Sequence, residues 1–111
     1  MPAFELQHYL TADGLDPFAQ WLARLADRQA RARIVVRMGR LAETGNFGDC
    51  KSVGEGVWEL RLDWGPGYRV YYAKAGASLV LLLIGGDKRT QQADISAARD
   101  YWRDWRSRSA S

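Results

Sequence analysis

The chain has 111 residues, 47% hydrophobic and 26% charged, with 16 Lys and Arg against 13 Asp and Glu for a formal charge of +3. That describes one domain around a single core, too short for two and too apolar for disorder. One histidine, His8, and one cysteine, Cys50, exclude an internal disulfide and every Cys/His metal cluster, so neither a metal nor another cofactor is expected.

The opening Met1-Pro2-Ala3-Phe4-Glu5 has neither a basic leader nor an apolar segment, and no stretch approaches the roughly 20 apolar residues of a membrane span, so a cytoplasmic protein is expected. FELQHYL, from Phe4 to Leu10, alternates in part and reads as a first strand. TADGLDPF breaks it, and Asp16 before Pro17 supplies an N-cap with proline at the first helical position. Phe18, Trp21, Leu22 and Leu25 then recur at helical spacing. A second helix runs from about Asp27 to Glu43, with Ile34, Val35, Met38 and Leu41 on its apolar side, and stops at Gly45-Asn46. Six arginines lie between Arg24 and Arg40, offset only by Asp27. A solvated helix face and an electrostatic footprint for RNA, DNA or an acidic protein are both open. Cys50 falls in NFGDCKS, which reads as a loop, and neither it nor His8 has a recognisable titratable partner.

After Gly54 and Gly56 the period falls to two, setting Trp58, Leu60 and Leu62 against Glu59, Arg61 and Asp63. WGPG, Trp64 to Gly67, turns the chain into Tyr68 to Tyr72, and Ala75-Gly76-Ala77 turns it again into SLVLLLI, a continuous apolar run suited to a covered strand. A last helix runs from Thr90 to about Arg106, with Ile95, Ala98, Trp102 and Trp105 near one stripe. The expected fold is α+β over residues 1–111: a small curved, mostly antiparallel sheet, made of the N-terminal strand at an edge and a three-strand meander. An N-terminal helical hairpin and a C-terminal helix accompany it.

Thirteen of the 16 basic residues are arginine, whose planar fork suits bidentate phosphate contacts. Arg61 and Arg69 occupy polar positions on two strands joined by one tight turn, so a suitable register sets them side by side. Opposed guanidinium groups repel, which calls for an anionic ligand or for Glu59 and Asp63 as neutralising neighbours. Lys88 follows in GGDKRTQ, where Gly85 and Gly86 let the backbone bend or approach a ligand and Thr90 can cap the final helix. The amides of that helix end also favour an anion. Such groups suffice for RNA cleavage, because the internal 2'-hydroxyl supplies the nucleophile. The protein has to orient it in line and stabilise charge on a phosphorane-like transition state. Lysine can also move a proton, which arginine does not. Tyr71, on the face of Arg69, can stack on a base or share proton transfer.

The segment from Val57 to Trp102 resembles the RelE/ParE superfamily of bacterial toxins, specifically the phage-related, HigB-like addiction-module killer proteins. The resemblance rests on Glu59-Leu60-Arg61, the run Gly67-Tyr68-Arg69-Val70-Tyr71-Tyr72, and Gly85-Gly86-Asp87-Lys88 followed by Thr90-Gln91 and Asp94-Ile95. It implies the toxin of a type II toxin-antitoxin pair, a metal-independent mRNA endoribonuclease that acts on or off the ribosome to inhibit translation. It also implies an adjacently encoded antitoxin with a helix-turn-helix domain. By motif position it gives Arg61, Arg69 and Lys88 phosphate-binding and catalytic roles and sets Gln91 at the site; Arg89 and Tyr71 join as substrate-binding candidates. RNA-cleaving relatives often place an active tyrosine or histidine near the C-terminus, where this chain has Tyr101 and Trp102, the latter reading as core. The superfamily also contains DNA gyrase poisons lacking the basic site. The three cations favour the ribonuclease over a gyrase inhibitor or a non-catalytic antitoxin-binding module.

Overall fold

The computed structural model describes residues 3–109; Met1 and Pro2, part of the opening segment read above, lie outside them. The order is β1 (Glu5–His8), α1 (Pro17–Arg24), α2 (Arg28–Thr44), β2 (Cys50–Gly54), β3 (Val57–Arg61), β4 (Arg69–Ala75), β5 (Leu79–Gly86), a 3-10 turn (Lys88–Thr90) and α3 (Gln91–Ser109). One five-stranded sheet has the strand order β1-β5-β4-β3-β2. From β2 to β5 the strands form an antiparallel meander, and β1 joins β5 in parallel at the edge. The α+β expectation holds, with four meander strands in place of three.

The additional strand is β2, which the sequence reads as a loop around Cys50. It lies at the sheet edge and pairs only with β3, so Lys51 and Ser52 stay exposed and no apolar alternation develops. Its hairpin turn, Glu55-Gly56, has both residues at positive φ, 55° and 86°, the backbone that matches the twist of paired strands.

The sheet separates two apolar layers. Ile34, Met38 and Leu41 of α2 and Phe18 of α1 pack on Leu60, Val70, Tyr72 and Leu82, while Ala98 and Trp102 of α3 pack on Val57, Tyr71, Leu81 and Leu83. The first two helices begin and end as the sequence predicts, while the last runs on to Ser109. Asp16 accepts the Ala19 amide at 2.9 Å, Asp27 accepts those of Gln29 and Ala30, and Gly45 closes α2 in the left-handed region at φ 72°. His8 does have a titratable partner: its Nδ1 lies 2.7 Å from Asp16 Oδ2, which ties β1 to the cap of α1. Among the described residues no helix is long and apolar enough to cross a membrane.

Candidate functional site

The β3–β4 register pairs Arg61 with Arg69 and Glu59 with Tyr71. All four side chains therefore sit on the α3 face of the sheet, beside the Trp64–Gly67 turn. Glu59 is wholly buried between them. Its Oε1 accepts from Arg61 Nε at 3.2 Å and lies 3.8 Å from Arg69 Nε; its Oε2 accepts from the Tyr71 hydroxyl at 3.0 Å and from Gln91 Nε2 at 2.8 Å. Burial pushes the Glu59 pKa up. The Gln91, Tyr71 and Arg61 hydrogen bonds, together with the Arg69 charge, outweigh that and hold the carboxyl below its ordinary value. An ionised, fully occupied Glu59 is an anchor for guanidinium groups rather than a base.

Arg69 is the more enclosed cation, its side chain 12% exposed against 34% for Arg61. Its Nη1 donates to the Gly67 carbonyl at 2.9 Å, while its buried Nε lacks a hydrogen-bond partner. Gly67 is where Arg69 and Lys88 converge. A Cβ there would stand 3.3 Å from Arg69 Nη1 and 3.5 Å from Lys88 Cβ, and φ of +79° also favours glycine. Arg61 and Arg69 thus share one carboxylate at the turn end of the hairpin, with the Lys88 Cβ close to the same turn at Gly67.

The remaining candidates separate. Gln91 touches the site through Glu59. Tyr71 is fully buried, and burial and the adjacent Glu59 carboxylate push its phenol pKa up. It is closed to base stacking here and is a poor proton donor; what it does is hold Glu59. Arg89 points away, 84% exposed and paired with Asp87 at 3.1 Å, and lines a separate cleft with Trp21, Arg24 and Asp94 beside Gly85 and Gly86. Asp63 is exposed and not paired with either arginine, so among the described residues Glu59 alone neutralises them. Trp102 is core, and Tyr101 stacks on Tyr9 at 4.8 Å.

GGDKRTQ performs the turn differently from the sequence expectation. Asp87, not Thr90, caps the 3-10 turn by accepting the Arg89 amide, and Thr90 returns its hydroxyl toward the Asp87 amide. Thr90 also donates to Asp94 at 2.5 Å. A Cβ on Gly86 would overlap that Asp94 carboxylate, and one on Gly85 would overlap the Trp21 ring. Both glycines are needed for helices to close on the strand from opposite faces.

A mixed sheet flanked by helices, with an arginine pair clamped by one buried carboxylate and Lys88 beside the same turn, defines a small basic α+β domain. The chain belongs to the phage-derived protein Gp49-like family (DUF891), whose model matches residues 20–100, and this is a family of RelE-like toxins. It is also 51% identical over 82 residues to an uncharacterized protein of Haemophilus influenzae strain Rd, covering 74% of this chain and 82% of that protein. A toxin family of this kind implies an antitoxin partner.

Proposed function

We propose that the protein is the toxin of a type II toxin-antitoxin pair and cleaves mRNA as a metal-independent endoribonuclease, acting with the ribosome to stop translation. The observation that carries this reading is the directly opposed Arg61–Arg69 pair, held by buried Glu59 and joined by Lys88 over Gly67. The scissile phosphate lies on the two guanidinium groups, which match its non-bridging oxygens and neutralise the charge that develops there. The 2'-hydroxyl attacks phosphorus and loses its proton to solvent. The bond from phosphorus to the 5'-oxygen breaks, and Lys88 protonates the departing oxygen. The products are a 2',3'-cyclic phosphate and a free 5'-hydroxyl. Glu59, Tyr71 and Gln91 position the arginines without touching the RNA. The partner is a helix-turn-helix antitoxin encoded next to the toxin.

Labelled mRNA incubated with the purified protein in chelator, with and without ribosomes, should give fragments with those ends. A substrate carrying 2'-deoxyribose at the cut position should stay intact. Uncut RNA together with loss of plasmid supercoiling by gyrase would replace this reading with the gyrase one.

A further inference from the structure

The arginines fall into two populations. On α3, Arg99 and Arg103 pair with Glu55, Arg103 also pairs with Asp100, and Arg108 pairs with Asp104. Arg61, Arg69 and Arg89 have Glu59 and Asp87. Among the described residues, the six arginines Arg24, Arg28, Arg31, Arg33, Arg37 and Arg40 have no carboxylate partner; on α3 neither has Arg106, whose guanidinium lies over the Trp102 ring at 5.2 Å. Asp27, the one acid within that stretch, is occupied as the α2 cap. Like charges three and four residues apart on α2 repel, and a polyanion lying along them relieves that repulsion.

Three of the six form a track. Arg33, Arg37 and Arg40 follow at spacings of four and three residues on one flank of α2, with rises of about 6 and about 4.5 Å between them. With Val36 they border a shallow groove against Leu62 and Trp64. The Arg33 guanidinium lies over the Trp64 ring at 5.1 Å, and Arg37 Nη1 donates to the Asn46 carbonyl at 3.2 Å, so two of the three are held in place. Trp64 belongs to the turn that joins Arg61 to Arg69, so the track reaches the same hairpin from the α2 side of the sheet, opposite the site of the proposed cleavage.

We propose that the Arg33–Arg37–Arg40 flank of α2, with Trp64, is a second RNA-binding surface that grips the sugar-phosphate backbone away from the cleaved bond. The choice of RNA as the polyanion rests on the function proposed above. An acidic protein is the competing occupant, and two features favour RNA. The stretch from Arg24 to Arg40 uses arginine alone, without lysine, which suits bidentate phosphate contacts. The groove with the least polar lining, which a protein partner would bury, opens beside the track between α1 and α2, along Leu22, Val35 and Val36.

The test is binding of a fluorescent single-stranded RNA across salt from about 50 to about 200 mM, for the wild type, a triple Arg33→Gln, Arg37→Gln, Arg40→Gln variant and the corresponding triple lysine variant. Loss of three phosphate contacts should reduce the slope of log K against log salt by roughly 2, with affinity at the lowest salt falling roughly tenfold or more. The lysine variant, which keeps the charges, should retain most of the slope. Paired Arg28→Gln and Arg31→Gln, off the track, should change it little. Wild-type slope and affinity in the triple glutamine variant would overturn the proposal. So would loss of polyglutamate binding with RNA binding intact, which assigns the surface to an acidic protein. Arg61→Ala separates the two readings: cleavage should slow on the order of a hundredfold while the track's share of the slope remains. A wild type that binds RNA through the track yet never cuts it would sink the ribonuclease and leave the surface standing.

Discussion

Two guanidinium groups facing each other across β3 and β4 would destabilise the sheet, and Glu59 removes that cost by lying between them with both oxygens occupied. The arginines are therefore positioned before any substrate arrives, which is what transition-state stabilisation requires. Arg69→Ala and Arg61→Ala should each lower the cleavage rate on the order of a hundredfold, about 3 kcal/mol of transition-state contact, with circular dichroism unchanged. Full growth arrest by both variants on induction would make the pair structural. Lys88→Arg separates charge from proton transfer, because arginine keeps the first and loses the second. If Lys88 protonates the leaving oxygen, the arginine variant should cut a defined mRNA at least roughly tenfold more slowly at neutral pH. It should cut a substrate with a thio-substituted leaving group, which needs no protonation, about as fast as wild type. Equal rates on both substrates would reduce Lys88 to a phosphate contact.

Strand and helix periodicity made most of the elements readable, whereas the Arg61–Arg69 pairing hung on a register that the sequence left open and the structure supplies. The alternation of Trp58, Leu60 and Leu62 placed Glu59 and Arg61 on the other face, but could not show that α3 covers that face and leaves Glu59 fully buried. Coverage is a tertiary fact, and it also turned Tyr71 from a surface candidate into a support. β2 was missed because an edge strand needs no apolar alternation; the positive-φ Glu55-Gly56 turn was its weak local signal. The two glycines ending β5 illustrate the same limit. Sequence marked them as a bend or a close approach, and the structure gives each a different helix to admit. Gly85→Ala should push Trp21 and α1 off the sheet, costing about 1–3 kcal/mol by overpacking. Thermal unfolding and near-ultraviolet dichroism would register it, and an unchanged melting temperature would mean that α1 shifts freely.

At the scale of the whole molecule, two carboxylates on the α3 face pull stability in opposite directions with pH. The folded pKa of Glu59 is depressed, burial being outweighed by the donors and charge around it. Its contribution is therefore complete above the unfolded value of about 4.3 and is lost as pH falls through the folded value. Asp94 is the reverse: burial and the nearby Asp87 charge raise its pKa against the opposing Thr90 hydrogen bond, so the fold disfavours its ionised form. That penalty is absent below the unfolded value of about 3.9 and develops as pH rises through the folded one. Glu59→Gln should cost about 3 kcal/mol at neutral pH by leaving Arg69 buried without its counter-charge, a fall in Tm on the order of 10–20 °C. The gap to wild type should close at strongly acid pH, where protonated Glu59 has nearly the shape and charge of glutamine. Asp94→Asn keeps an acceptor for Thr90 and removes the charge, so its Tm should match or exceed wild type at neutral pH, with the difference shrinking toward pH 3. Melting curves for the three proteins from about pH 3 to about pH 7 decide the matter. Curves that run parallel across that range would show that neither carboxylate changes its proton affinity on folding, and the electrostatic account of the arginine clamp would fall with them.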